Sequence, residues 1–166
     1  MRKLYAAYGS NLNHRQMAKR CENAKFAGTG VLKHYSLRFR GDPDQAFATV
    51  VADETGFVPV ALWEISSEDE KALDRYEGVP FHYFKQEISV YLENGNTVGA
   101  MIYIMNPKMK CGLPSGQYYR GIYLGYEDCG FDTAVLNEAL HISVNEFYDN
   151  AVKQPDFRLS ADFFRT

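Results

Sequence analysis

The chain has no apolar run near the roughly 18 residues needed to cross a bilayer, and its first residues carry no hydrophobic leader. A cytoplasmic protein without a membrane partner is the expectation. A basic excess is also missing, since 18 Lys and Arg stand against 21 Asp and Glu for a formal net charge of −3. That balance excludes the cationic footprint of a nucleic-acid binder. The one basic cluster, Arg15 with Lys19 and Arg20, reads as the solvated face of a first helix. Cys21, Cys111 and Cys129 contain no CxxC pair, which leaves neither a disulfide framework nor a zinc site and makes them reduced, structural thiols. His14, His34, His82 and His141 are scattered without ligand spacing, so no metal and no cofactor is expected. Ser10 lacks the GxSxG elbow of a serine nucleophile.

Aromatic residues are plentiful, with 12 Tyr and 11 Phe among 166 residues. Many fall at strand spacing and imply a β-rich core, with an aromatic-lined pocket as a second use. The length fits one domain over residues 1–166, with no repeat and no linker.

The periodicity predicts a strand over Lys3 to Tyr8 and a helix over Asn13 to Arg20, with Asn13 and Gln16 resembling a capping box. A bent strand over Ala24 to Arg40 follows, facing inward through Phe26, Val31, Tyr35, Leu37 and Phe39, and Gly41 to Asp44 is a turn. Phe47 to Val51 and Val58 to Ile65 read as two strands separated by Asp53-Glu54-Thr55-Gly56. Ser67 and Glu70 form the capping box of a second helix, which Gly78 ends as a left-handed cap before Pro80. Tyr83 to Glu93 and Thr97 to Met105 make a hairpin around Asn94-Gly95. Gln117 to Gly125 is a short helix, and Asp132 caps a last helix to Asn150 whose inner side holds Leu136, Leu140 and Phe147. The tail after Pro155 either docks or frays.

Two stretches carry candidate chemistry. In Tyr8-Gly9-Ser10-Asn11-Leu12 a strand breaks into a turn, and Gly9 permits either a positive φ or a close approach. The following amides suit a carboxylate or an oxyanion, though a plain turn capped by Ser10, Asn11 or Asn13 reads equally well. In Leu73-Asp74-Arg75-Tyr76-Glu77-Gly78-Val79, Glu77 stands at a helix C-terminus, where the dipole disfavours its charge. Partial burial there would raise its pKa and suit it to proton exchange near neutral pH. Repulsion from Asp74 would add to that rise. The bland alternative is a solvated Glu77, or one paired with Arg75 or His82. Asp74 and Glu87 are the reserve acids.

Tyr8-Gly9-Ser10-Asn11-Leu12, the segment Leu-Asp-x-x-Glu-Gly-Val ending at Val79, and Pro114-Ser115-Gly116-Gln117-Tyr118 stand in the order found in the gamma-glutamyl cyclotransferase family, which this chain resembles. Nothing beyond Gly125 is matched. The resemblance implies an α+β fold, a small twisted mixed or antiparallel β-barrel with helices packed outside and the site at one mouth. It implies metal-independent release of 5-oxoproline from a small-molecule gamma-glutamyl substrate, by attack of the substrate's α-amine on its own γ-carbonyl. Glu77 falls on the family's catalytic glutamate and Tyr118 on its substrate-site tyrosine, with Tyr8, Gly9, Ser10, Asn11 and Leu12 forming the substrate loop. The alternative is a non-catalytic gamma-glutamyl or carboxylate-binding domain of the same fold. A monomer or homodimer is expected.

Overall fold

The computed structural model describes residues 1–153; the tail beyond Pro155 lies outside them. In order come β1 (Lys3–Ala7), a 3₁₀ turn (Ser10–Leu12), α1 (His14–Arg20), β2 (Lys25–Asp42), β3 (Gln45–Ile65), α2 (Ser67–Glu77), β4 (Tyr83–Tyr91), β5 (Thr97–Met105), α3 (Gly116–Cys129) and α4 (Ala134–Lys153). The strands close into a barrel in the order β1-β3-β2-β4-β5. Only the β1–β5 seam is parallel, so the sheet is mixed and the expected α+β barrel with outer helices is what forms.

The two strands expected on either side of Asp53-Glu54-Thr55-Gly56 are one continuous β3. Lys33 pairs with Phe57 and Tyr35 with Ala52, so residues 53–56 all oppose His34 in a wide bulge. His34 takes φ 67 and Asp53 accepts from the Ser36 hydroxyl and from the Thr55 N–H, which holds the bulge in place. A turn-like sequence is thus absorbed inside a strand. The bulge also shifts the alternation of β2, whose buried hydrophobic side chains are Leu32, Leu37 and Phe39. Phe26, expected inside, is 44% exposed and packs on the outer side against His14 and Trp63.

The α2 capping box begins one residue earlier than expected. Ser66 Oγ accepts from Asp69 N, and Asp69 Oδ2 accepts from Ser66 N. Glu70 reaches across to Lys3 and Lys85 instead, at 2.8 and 2.9 Å. Gly78 closes the helix at φ 64, and a side chain there would also meet the His82 ring. Asn13 caps α1 by accepting from Gln16 N, but the Gln16 side chain turns to Arg20 rather than completing a box. The third helix runs through Asp128-Cys129 to a left-handed cap at Gly130, longer than its expected end at Gly125. Asp132 accepts from Ala134 N at the start of α4, whose buried side carries Leu136, Ala139, Ser143 and Phe147.

A closely packed joint sets the position of the loop after β1. Gly125 of α3 faces the 3₁₀ turn so closely that a Cβ would lie 2.7 Å from Asn13 N and from Leu12 Cβ. Leu12, Ile122 and Tyr126 fill the space around that joint and are fully buried.

Candidate active site

One mouth of the barrel opens into a cavity of about 420 Å³ whose wall includes Tyr5, Tyr8, Gly9, Ser10, Asn11, Glu77 and Tyr118. Stretches separated by up to 113 residues in sequence, from Tyr5 to Tyr118, meet there. Of the expected site residues only Leu12 stays away, since it serves the core beneath the loop.

Glu77 is the last residue of α2 and is partly exposed, its carboxyl turned into the cavity. Burial pushes its pKa up to about 7, against a smaller lowering by the Arg20 charge. Among the described residues no group donates a hydrogen bond to that carboxylate, and neither Arg75 nor His82 pairs with it. Asp74 does not contribute the expected repulsion. Its oxygens are engaged elsewhere, accepting from Tyr103 Oη at 2.7 Å and Lys85 Nζ at 2.9 Å, and burial rather than Asp74 raises Glu77. Glu87 is exposed on β4 and does not line the cavity.

The loop opposite Glu77 is held from several sides. Gly9 has φ −116, so its need is for close approach rather than a left-handed backbone: a Cβ would sit 3.3 Å from Ala48 Cβ and 3.6 Å from Tyr118 Oη. Asn11 is fixed at both ends of its amide, Nδ2 donating to Tyr5 Oη at 3.0 Å and Oδ1 accepting from Arg20. Its carbonyl accepts from Trp63 Nε1 at 3.0 Å. Among the described residues the N–H groups of Gly9, Ser10 and Asn11 have no acceptor. Three successive donors are therefore available to an anion.

The tyrosines divide by where their hydroxyl protons go. Tyr8 donates to Tyr103 O at 2.6 Å, Tyr83 to Ala48 O at 2.7 Å, and Tyr103 to Asp74. Tyr118 instead accepts from Ala48 N at 3.0 Å and Tyr5 accepts from Asn11, so both keep a proton to offer a ligand. Burial holds all five phenols well above their usual pKa, hence neutral.

Sequence reasoning passed over Tyr5, Tyr83, Tyr103 and Arg20. The hairpin register offered a signal for two of them, because Tyr83 opposite Met105 and Lys85 opposite Tyr103 share one face. For Arg20 there was none, as its partner Tyr76 lies 56 residues away. Among the described residues no cluster of His, Cys, Asp and Glu could hold a metal ion, and no helix is long and apolar enough to span a membrane.

The fold and the cavity define a class: small closed barrels with a cavity at one mouth, between a loop whose amides have no acceptor and a carboxyl that no side chain pairs among the described residues. Residues 5–121 match the family described as gamma-glutamyl cyclotransferase, AIG2-like, and the chain belongs to that family. Gamma-glutamylcyclotransferase from Homo sapiens is 26% identical over 152 residues, covering 87% of this chain and 80% of that protein. The Mus musculus protein of the same name is 27% identical over the same length and shares. A solved structure titled gamma-glutamyl cyclotransferase has a TM-score of 0.74 at 23% identity, covering 98% of this chain and 95% of its own, a likeness of fold.

Proposed function

We propose that the protein is a gamma-glutamyl cyclotransferase that releases 5-oxoproline and an amine or amino acid from a gamma-glutamyl compound. The observation that carries this reading is the Glu77 carboxyl, unpaired among the described residues in a cavity rich in tyrosine, with a pKa raised to about 7. A pocket that merely bound a carboxylate would gain nothing from an acid beside it, whereas a cyclisation needs one group to move protons both ways.

In the proposed reaction the substrate's α-carboxylate lies on the amides of Gly9, Ser10 and Asn11. Ionised Glu77 takes a proton from the α-ammonium, and the freed amine attacks the γ-carbonyl carbon. The tetrahedral oxyanion accepts hydrogen bonds, a role that the undonated protons of Tyr118 and Tyr5 would serve. Glu77 passes the first proton to the leaving nitrogen and the C–N bond breaks. It then removes the second proton from the ring nitrogen, leaving the lactam N–H, and the departing amine is protonated. Holding amine and carbonyl together in the cavity supplies much of the acceleration.

The test is 5-oxoproline release from a panel of gamma-glutamyl amines, amino acids and peptides, with Glu77→Gln beside the wild type. Turnover of at least one compound, with a folded variant slower by about 10²-fold or more, is the expected result. A panel without turnover, in which a gamma-glutamyl compound still raises the melting temperature, would replace the enzyme with a binding domain.

A further inference from the structure

Arg20 ends α1 and does not line the cavity, yet its guanidinium reaches both sides of the site. One terminal nitrogen donates to Ser10 Oγ at 3.0 Å and to Asn11 Oδ1. The other donates to Gln16 Oε1 at 3.0 Å and to Tyr76 Oη at 2.7 Å, with the guanidinium carbon 3.9 Å from the Tyr76 ring centroid. Four donors therefore meet four neutral oxygens, on the ligand loop, on α1 and on the residue before Glu77. No carboxylate forms an ion pair with Arg20 among the described residues, so its positive charge is not neutralised locally.

We propose that Arg20 is a positioning residue for the reaction: it clamps the Ser10-Asn11 loop to the last turn of α2 and holds a fixed positive charge behind the Glu77 carboxyl. The proposal rests on the cyclotransferase reading for its catalytic consequence. The clamp requires a planar fork, because an ammonium is a point charge on a flexible stem and cannot serve both loop and helix at once. The charge opposes the burial that drives Glu77 towards its neutral form, and so keeps a working fraction ionised at neutral pH.

Other groups around Glu77 do not supply this effect. The phenols facing it, from Tyr5 on β1, Tyr8 just after β1, Tyr83 on β4, Tyr103 on β5 and Tyr118 on α3, are neutral. Asp42, Arg75 and His82 share the cavity wall but form no ion pair with Glu77.

The test is a titration of the Glu77 side-chain carboxyl by carbon-13 NMR in wild type, Arg20→Ala, Arg20→Lys and Tyr76→Phe, run beside 5-oxoproline kinetics. Arg20→Ala should move the midpoint upward and lower kcat/KM at pH 7 by about tenfold. Arg20→Lys should restore the midpoint while KM stays raised, because charge returns without the span. Tyr76→Phe should raise KM at an unchanged midpoint, and it serves if Arg20→Ala does not fold. A folded Arg20→Ala protein with the wild-type midpoint, or an Arg20→Lys protein with wild-type KM, overturns the proposal. Absence of turnover in the wild type would sink the cyclotransferase reading, and with it the catalytic role; the NMR midpoints would still decide the charge.

Discussion

Glu77 places a stability cost and a chemical gain on the same atoms. Its pKa in the folded protein, about 7, lies above that of an unfolded chain. The folded state therefore binds more protons between pH 4.5 and 7, and stability falls as pH rises through that window, by on the order of 2–3 kcal/mol. Glu77→Gln removes the ionisation and should melt higher than wild type at pH 8, while the two should converge near pH 4.5. Calorimetric melts at both pH values check this, and a variant that melts lower at pH 8 would mean that Glu77 is stabilised by a partner. Tyr118→Phe removes the acceptor for Ala48 N, so a loss of about 1 kcal/mol is expected in denaturant melts. It should also slow turnover, since the same hydroxyl keeps a proton for the ligand.

At the level of elements, the joint between α3 and the loop after β1 sets the position of Gly9, Ser10 and Asn11 on the cavity wall. Gly125→Ala puts a methyl 2.7 Å from Asn13 N, a backbone atom that cannot swing aside. The two elements must part, at an expected cost of about 1–3 kcal/mol and with a raised KM. Gly116→Ala, where a Cβ meets nothing within 4 Å, is the matched control on the same helix. Thermal melts and initial-rate kinetics on the pair separate a local fault from general helix effects. The caps explain what the sequence did and did not disclose about these elements. Gly78 was legible because a glycine followed by Pro80 leaves few other conformations. The start of α2 was not, because Ser66 with Asp69 and Ser67 with Glu70 are equal local patterns. Tertiary partners choose between them: Asp69 also accepts from Asn23 N, and Glu70 is drawn to Lys3 and Lys85.

At the scale of the whole molecule, closure of the barrel brings the three motifs together, and their alternation and turn chemistry announced most of its strands. What stayed hidden was long-range. Asp53 to Gly56 carries every local mark of a turn, yet its residues are taken up as a bulge against His34, and the inward face of β2 moves with it. Arg20 looked like part of a solvated basic face because its partners, apart from Gln16, come from other elements. The candidate residues that line the cavity were legible through their motifs, while the further tyrosines beside them and Arg20 are brought there by the fold. The central claim, that the barrel mouth performs acid–base chemistry through Glu77, is tested most directly by the pH dependence of kcat/KM for 5-oxoproline release. The account predicts a rate that rises with pH to a single midpoint near 7 and then levels, with that limb absent from the residual activity of Glu77→Gln. A wild-type profile flat from pH 5 to 8, or a Glu77→Gln profile that keeps the same limb, would contradict it.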